Sequence, residues 1–206
     1  MADGPRIHPT AIVEPGVGIG RGSAVWDSVH IRRGAVIGAE CIVGEKTYIA
    51  GGVMIGNRCK INAFVYICVG VTLEEGVMVS AGTVFTNDRF PRATTPDLKQ
   101  LRGSEADEHT LPTLVKEGAT IGANCTVGND LAIGRWAMIG MGSVVTKSIP
   151  DFALALGNPA RVVGVVCRCG ECLFKFEAGQ PPEFRTLICS HCDRSYEHRA
   201  GTTRET

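Results

Sequence analysis

The chain has 206 residues, of which 44% are hydrophobic and 6% aromatic, and its formal net charge at pH 7 is zero. A neutral chain whose basic residues are scattered lacks the basic patch of a nucleic-acid-binding protein. The first residues, MADGPRIHPT, contain no apolar signal region, and apolar runs such as FVYICVGV are far shorter than the ~20 residues that cross a bilayer. Composition therefore predicts a soluble, cytoplasmic protein that binds neither nucleic acid nor a membrane.

An apolar residue recurs at every sixth position from Ile7 to Phe85, and a small or β-branched residue stands four positions after each until Arg89. The same register restarts at Val115 and continues to Val145. A six-residue period fits neither a helix nor an alternating strand, but it fits short strands joined by tight corners. The chain is therefore predicted to be all-β, as a parallel β-helix with the branched residues inside. An ordinary β-sandwich is the weaker alternative, because it would need hairpin signals and irregular strand spacing.

The segment VSAGTVFTNDRFPRATTPDLKQ interrupts this repeat, and the residues from 91 to 114 amount to four hexads. If this insertion bulges from one corner, the later repeats stay in phase, with three hexads to a turn. Three core residues then stack on one face: Phe85, Val127 and Val145. The residues two positions after them form a column: Asn87, Asn129 and Lys147. We predict an extended loop over residues 86–114 that covers a substrate site and reaches a neighbouring subunit, since long ordered loops in compact folds are usually functional.

Two CxxC pairs lie near the C-terminus, Cys169 with Cys172 and Cys189 with Cys192, and 16 residues separate them. This spacing is typical of a zinc ribbon, in which four thiolates complete a tetrahedral shell. A segment of about 40 residues cannot easily hold a fold by core burial alone, so metal binding would supply the missing free energy. We predict a small zinc ribbon over residues 167–198 with these four ligands, Cys167 being an alternative to Cys169. A polar tail is expected over residues 199–206.

Three features carry a resemblance to a known family: the hexads, the interruption VFTNDRFPRA, and the closing AMIGMGSVVTKSIPDFALALGNPARVVG. Together they resemble the hexapeptide-repeat acyltransferases of left-handed β-helix fold. Within that family they resemble the enzymes that N-acetylate the 3-amino group of UDP- or dTDP-linked sugars, such as UDP-2-acetamido-3-amino-2,3-dideoxyglucuronate. The resemblance implies an acyltransferase domain over residues 1–166 and a homotrimer that binds acetyl-CoA between neighbouring subunits. Because the acyl-transfer motifs all precede the ribbon, the ribbon is not expected to be needed for acetyl transfer.

The resemblance places the catalytic asparagine of the family at Asn87. An amide cannot act as a general base in neutral water, but it can accept a hydrogen bond from an amine and hold the lone pair toward a thioester. The proton would then leave through the CoA thiolate or through water. Asp88 is the alternative base, unless its side chain caps the first turn of the loop. His109 is also on the loop, where a histidine is more often only solvated.

Further site residues follow in two groups. The resemblance points to five substrate-binding residues: Lys60, Asn62, Tyr66, Glu74 and Arg92. Lys60 suits a diphosphate as a point charge, and Tyr66 suits stacking or hydrogen bonding with a base or ribose. Six residues are expected at acetyl-CoA: Gly122, Asn129, Gly140, Gly142, Lys147 and Arg161. Lys147 and Arg161 would meet the adenosine phosphates, and the glycines would leave room for the pantetheine beside the backbone.

Other functions remain open from the sequence. One alternative is an O-acetyltransferase of the same fold, and another is a non-catalytic β-helix scaffold whose ribbon docks a protein. The motifs GSVVTK and GNPAR favour an enzyme, because a scaffold has no reason to keep a phosphate-binding end. The sequence does not distinguish UDP from dTDP, the substituents of the sugar, or acetyl from a longer acyl group.

Overall fold

The computed structural model describes residues 4–103, 105–177 and 183–206, and within these ranges every regular element is a strand. Twenty short strands wind into a parallel coil with three flat faces. Face A contains β1 (Arg6–Ile7), β4 (Ala24–Val25), β7 (Ile42–Val43), β10 (Lys60–Ile61), β13 (Met78–Val79), β16 (Thr120–Ile121) and β19 (Met138–Ile139). Face B contains β2 (Ile12–Val13), β5 (His30–Ile31), β8 (Tyr48–Ile49), β11 (Tyr66–Ile67), β14 (Val84–Phe85), β17 (Thr126–Val127) and β20 (Val144–Val145). Face C contains β3 (Gly18–Ile19), β6 (Val36–Ile37), β9 (Met54–Ile55), β12 (Val71–Leu73), β15 (Thr113–Val115) and β18 (Leu131–Ile133).

The register of these faces follows the hexads. Each residue pairs with the residue 18 positions further on, as Arg6 does with Ala24. Across the loop, Val71 pairs with Thr113, 42 positions further on, which is one turn plus 24 residues. The insertion therefore leaves the coil at one corner and re-enters in phase, as predicted. The predicted stack of core residues is also confirmed, because Phe85 pairs with Val127 and Val127 pairs with Val145.

The core consists of the branched residues of the repeat, which are buried along the coil from β4 to β20. Corners need the left-handed backbone conformation, which Gly52 adopts with φ 72° and Asn124 with φ 55°. The first turn is different, since Ile7 is 44% exposed and has no coil beneath it. The architecture is a β-solenoid of hexapeptide repeats, consistent with the predicted left-handed β-helix.

The C-terminal segment continues face A and then adds a separate small sheet. β21 (Ala153–Leu156) pairs parallel with β19, and β22 (Arg161–Val166) and β23 (Cys172–Lys175) follow as antiparallel neighbours. β24 (Phe184–Ile188), β25 (Ser195–Arg199) and β26 (Thr202–Glu205) form a three-stranded antiparallel sheet. The expected boundary after residue 166 thus falls between two paired strands, and the expected polar tail contains β26. No described helix is long and apolar enough to cross a bilayer.

Candidate active site and metal centre

Asn87 lies at the corner between faces B and C, where the chain leaves the coil for the loop. Its Nδ2 donates a hydrogen bond to the carbonyl oxygen of Val69, one turn below, at 3.1 Å. Its own backbone carbonyl accepts a hydrogen bond from the N–H of Leu111 at 2.9 Å, where the loop returns. The first bond orients the side-chain amide and the second fixes the backbone at the corner, and no donor among the described residues bonds Oδ1. Oδ1 is therefore the atom of the Asn87 side chain that can accept a further hydrogen bond at this corner.

Asp88 adopts the capping role that the sequence left open. Its Oδ1 accepts a hydrogen bond from the backbone N–H of Phe90 at 2.8 Å. The backbones of Asp88 and Thr110 form an antiparallel bridge, so the loop is narrow at its base. His109 lies beside this base and packs edge-on against the Phe90 ring, with 5.5 Å between ring centroids. Asp88 is therefore part of the local fold of the loop.

The loop contains a cleft of about 600 Å³. Aromatic, hydroxyl and basic side chains line it: Phe90, Arg92, Thr94, Thr95, Arg102 and His109. The Arg102 guanidinium already has partners within the loop, because it donates a hydrogen bond to the Phe90 carbonyl oxygen at 2.7 Å and contacts the Asp107 carboxylate at 3.5 Å. Arg92, predicted to bind substrate, lines this cleft and donates only to the neighbouring Pro91 carbonyl oxygen among the described residues.

The other predicted substrate residues lie at different corners of the coil. Lys60 is exposed on face A and Tyr66 on face B, and they flank the corner that carries Asn62. Glu74 lies at the corner between faces C and A, and its Oε2 accepts a hydrogen bond from the backbone N–H of Glu117 at 2.9 Å. Asn87 occupies the remaining corner. A single chain therefore does not bring this group together, and Glu74 has a structural role in joining successive turns.

Tyr66 belongs to an aromatic column that the sequence analysis missed. Its ring stacks on Tyr48 at a centroid distance of 5.2 Å and an interplanar angle of 7°. His30 packs edge-on against Tyr48 at 5.5 Å. The signal was present, because these three residues are spaced 18 apart and each begins a face B strand. The column lies on face B in the turns that precede the loop, and it gives this face a flat aromatic surface.

The residues predicted to bind acetyl-CoA are also divided between corners. Asn129 and Lys147 follow β17 and β20, so they continue the column of Asn87. Arg161 begins β22, after a segment in which the Ala160 N–H donates to the Val144 carbonyl oxygen at 2.8 Å. Lys147 and Arg161 are both exposed, and both lie at the C-terminal end of the coil.

The three predicted glycines lie at the corner between faces A and B, and they differ in what surrounds them. A Cβ at Gly122 would clash with the backbone nitrogen of Met141 in the next turn, and one at Gly140 would clash with the Leu156 side chain. Close packing of successive turns thus accounts for Gly122, whereas the contact at Gly140 is with the far end of the Leu156 side chain, which can move. Gly142 is exposed, has φ 71°, and has no atom within 4 Å of such a Cβ. Only Gly142 of the three has open space for a ligand beside its backbone.

Four cysteine thiols form a cluster, hereafter the thiol cluster, and their Sγ atoms lie within 4.8 Å of one another: Cys167, Cys169, Cys189 and Cys192. The predicted ligand Cys172 is not among them, and Cys167 lies in its place. The reason is a turn after β22, in which the Cys167 carbonyl oxygen accepts from the Gly170 N–H at 2.9 Å. The chain then enters β23 with Cys172 as an exposed first residue.

The surroundings of the thiol cluster favour a thiolate at Cys192, whereas burial and the neighbouring thiols raise the pKa of the Cys169 thiol to about 12. Hydrogen bonds from the backbone N–H and the guanidinium of Arg194 lower the pKa of the Cys192 thiol to about 6. The fully buried Tyr196 places its hydroxyl 3.1 Å from the Cys167 Sγ. Four sulfurs in this arrangement suit a soft divalent ion such as zinc, because thiolates are the ligands that structural zinc sites prefer.

Two segments of the chain match hexapeptide-repeat family models. Residues 34–69 match "Bacterial transferase hexapeptide (six repeats)" and residues 112–147 match "Hexapeptide repeat of succinyl-transferase". A dTDP-3-amino-3,6-dideoxy-alpha-D-galactopyranose 3-N-acetyltransferase of Aneurinibacillus thermoaerophilus is 47% identical over 89 residues, which are 43% of this chain and 42% of that protein. The chain spans less than half the length of the curated relatives it matches.

Solved structures of acyltransferases are also similar. One is a single-residue mutant of AntD, an N-acyltransferase from Bacillus cereus in complex with dTDP and coenzyme A, with 18% identity, coverage of 79% of this chain and 81% of that one, and a TM-score of 0.47. Another is the polySia-specific acetyltransferase NeuO, with 17% identity, coverage of 77% and 84%, and a TM-score of 0.48. Repeat matches, strand register and buried core agree on one architecture, a β-solenoid of hexapeptide repeats.

Proposed function

We propose that the protein is an acetyl-CoA-dependent N-acetyltransferase that acts on the 3-amino group of a nucleotide-linked sugar. The observation that carries this proposal is the fixed amide of Asn87 at the base of the loop. Its Nδ2 donates a hydrogen bond to the Val69 carbonyl oxygen, which supports Oδ1 as the acceptor for a hydrogen bond from the substrate amine. The identity of 47% with a sugar 3-N-acetyltransferase over 89 residues supports the same substrate class.

The mechanism assigns orientation to Asn87. The neutral amine donates one hydrogen bond to Oδ1, and its lone pair attacks the thioester carbonyl carbon of acetyl-CoA. The new C–N bond forms, the C–S bond then breaks, and CoA leaves as a thiolate that takes up the amine proton directly or through water. Holding the two reactants in one geometry raises their effective concentration, which is the contribution expected of a single orienting group.

Acetyl-CoA is proposed to lie at the C-terminal end of the coil. Lys147 and Arg161 are exposed there and carry the positive charge that the adenosine phosphates need. Gly142 has open space for the pantetheine beside its backbone. Because Gly142 and Lys147 belong to neighbouring corners, the cofactor must contact both sides of face B or two different subunits.

A homotrimer would bring part of this divided site together. Asn62 and Asn87 lie at different corners of one chain, and a groove between two subunits brings one subunit's corner beside a different corner of the next. Closed cyclic symmetry is the usual arrangement of a soluble homo-oligomer. The loop would cover the acceptor site in such a groove, with Arg92 beside the diphosphate.

Zinc is proposed as the structural ion of the thiol cluster. Four thiolates complete a tetrahedral shell, which leaves no position for a catalytic water. The ion would therefore stabilise the C-terminal module and take no part in acetyl transfer.

The test of the proposed activity combines binding with product analysis. The purified chain is first titrated with CoA in a thermal-shift assay, where a rise in melting temperature is expected. It is then incubated with acetyl-CoA and a panel of UDP- and dTDP-linked sugars that carry either a 3-amino or a 3-hydroxyl group. Mass spectrometry should detect the added acetyl group on a 3-amino sugar. Acetylation of hydroxyl sugars alone would indicate an O-acetyltransferase, and the absence of both CoA binding and transfer would indicate a scaffold.

A further inference from the structure

The thiol cluster brings together two parts of the chain, the segment after β22 and the turn between β24 and β25. Cys167 and Cys169 directly follow β22, which is hydrogen-bonded to β21 and through it to the last turn of the coil. Cys189 and Cys192 lie in the turn between β24 and β25. An ion held by all four thiolates would connect the end of the coil with the three-stranded sheet.

The sulfur separations match a metal shell better than disulfides. Cys167 and Cys192 have their Sγ atoms 3.4 Å apart, and Cys169 and Cys189 have theirs 3.6 Å apart. Sulfurs in a tetrahedral zinc shell are about 3.8 Å apart, given Zn–S distances of about 2.3 Å. A disulfide needs about 2.05 Å. The cluster therefore has the size of a single four-thiolate site.

Residues around the cluster fix the ligands from both sides. The Tyr196 hydroxyl contacts the Cys167 Sγ at 3.1 Å and accepts a hydrogen bond from the Arg168 N–H at 3.1 Å. The Arg168 guanidinium lies over the Trp136 ring of the coil at 4.4 Å and bonds Glu205 of β26 at 3.2 Å. Such supporting contacts orient metal ligands and tune their affinity.

An apolar cluster surrounds the same junction. Phe152 and Val165 at the end of the coil are buried together with Cys167, Leu187 and Tyr196. The rings of Phe152 and Tyr196 pack at a centroid distance of 5.3 Å. The three-stranded sheet thus shares a core with the coil, and two of the four cluster thiols, Cys167 and Cys189, are buried in that shared core.

We infer that one zinc-class ion is bound by Cys167, Cys169, Cys189 and Cys192, without Cys172, and that it fastens the sheet β24–β26 to the end of the coil so that both unfold together. This inference rests on the proposed zinc ion and is independent of the proposed acetyl transfer. If the inference holds, the stability of the C-terminal end of the coil depends on the bound metal ion.

The ligand set is tested by cobalt substitution in the full chain. The protein is treated with a chelator under reducing conditions, dialysed, and titrated with Co²⁺, whose thiolate complexes absorb in the near ultraviolet and visible. One Co²⁺ per chain is expected for the wild type and for the matched control Cys172→Ser. Cys167→Ser should weaken Co²⁺ binding by more than about tenfold, because it removes one ligand of the shell.

Alkylation of the wild type gives a second measurement, which does not depend on the folding of a variant. In the Zn²⁺-loaded protein, iodoacetamide should modify Cys172 and spare the four thiols of the cluster. After chelation, Cys169 and Cys192 should become reactive, since both are at least partly exposed. Protection of Cys172 together with ready modification of Cys167 would overturn the ligand set.

The structural role is tested by hydrogen exchange with and without Zn²⁺. Chelation should remove the protection of residues 184–205 and of β22 together. Unchanged exchange of these residues after metal loss would overturn the fastening role. A wild type that binds no Zn²⁺ or Co²⁺ would refute the zinc ion itself, whereas loss of Co²⁺ from Cys172→Ser but not from Cys167→Ser would refute only the ligand set.

Discussion

Asn87 is the residue on which the proposed chemistry depends, and its environment limits what it can do. The hydrogen bond from Nδ2 to the Val69 carbonyl oxygen sets the amide orientation before any substrate binds. An amide side chain has no titratable proton near neutral pH, so it orients an amine without deprotonating it. In the proposed mechanism, Oδ1 is the functional atom.

Asn87→Ala is expected to lower kcat about tenfold to a hundredfold, as loss of a single orienting group commonly does. CoA affinity should stay unchanged, because Lys147 and Arg161 lie further along the coil. Steady-state kinetics with a 3-amino nucleotide sugar, together with calorimetric titration of CoA, measure the two effects separately. An unchanged kcat would contradict the orienting role.

Asp88→Asn distinguishes capping from base catalysis at the neighbouring position. An asparagine Oδ1 can still accept the hydrogen bond from the Phe90 N–H, so the loop should keep its turn. If the CoA thiolate takes the proton, the rate should fall by less than about threefold and the pH profile should follow the ionisation of the substrate amine alone. A severe loss of rate, with a missing limb in the pH profile, would assign the base to Asp88.

Gly122 and Gly142 are predicted to respond differently to alanine. Gly122→Ala pushes a methyl group into the backbone of the next turn, and overpacking of this kind costs about 1–3 kcal/mol. Gly142→Ala should lower the free energy of unfolding by only about 1–2 kcal/mol, the cost of holding an alanine in the left-handed backbone conformation. Urea unfolding measures the stability, and CoA titration should show weaker binding for Gly142→Ala alone. Equal CoA affinities of the wild type and the two variants would remove Gly142 from the proposed cofactor site.

The thiol cluster shows why residue spacing was an incomplete guide at this scale. Two CxxC pairs predicted two equivalent pairs of thiols in one cluster, but only Cys189 and Cys192 form such a pair. The other two thiols of the cluster are separated by a single residue, since the turn after β22 brings Cys167 and Cys169 to the same side. Sequence spacing alone does not report where a strand ends and a turn begins.

The loop is the element whose placement could be predicted and whose internal structure could not. A length of four hexads required the coil to resume in phase, and the pairing of Val71 with Thr113 confirms it. Inside the loop no apolar period exists, so its path could not be predicted from a repeat. Local contacts determine that path, among them the bridge between Thr94 and Leu101 and the hydrogen bond from Arg102 to the Phe90 carbonyl oxygen.

Replacement of residues 91–107 with two glycines is expected to preserve the coil and impair acceptor binding. None of the described residues in this range belongs to the buried core, and the bridge between Asp88 and Thr110 remains to close the base. The melting temperature should change by only a few degrees, which corresponds to about 1 kcal/mol for a protein of this size. The KM for the amino sugar should rise at least about tenfold, as expected when a positioning element is lost. A matched rise in the Kd of CoA would show that the loop also contacts the cofactor.

On the scale of the whole molecule, the two ends of the coil are unlike. The N-terminal turn is open, with Ile7 and Ile12 exposed. The C-terminal turn is covered by β21 to β23 and by the three-stranded sheet, whose residues bury Phe152 and Val165. The CxxC spacing, together with the end of the family resemblance at residue 166, predicted a separate ribbon. The sequence could not reveal that β22 and β23 pair across that point, because antiparallel pairing depends on contacts that the hexad period does not encode.

Truncation after residue 166 is therefore expected to cost stability while sparing the chemistry. The acyl-transfer residues all precede this point, but the cut exposes the side chains of Phe152 and Val165 and leaves β22 without a partner on one edge. Exposing two such apolar side chains costs about 3–6 kcal/mol.

The melting temperature of this truncated chain should fall by roughly 6–24 °C, at 2–4 °C per kcal/mol for a protein of this size. The kcat at 25 °C of the folded fraction should stay within about threefold of the full chain, because no orienting group is lost. Truncation after residue 177 is the matched control, since it keeps β23 paired with β22 while it removes the three-stranded sheet and with it Cys189 and Cys192 of the thiol cluster. A control that melts like the full chain would assign the stabilisation to strand pairing. A control that melts like the shorter chain would assign the stabilisation to the apolar contacts with Tyr196 and to the ion. Loss of kcat in a folded truncation would instead place part of the active site in the C-terminal module.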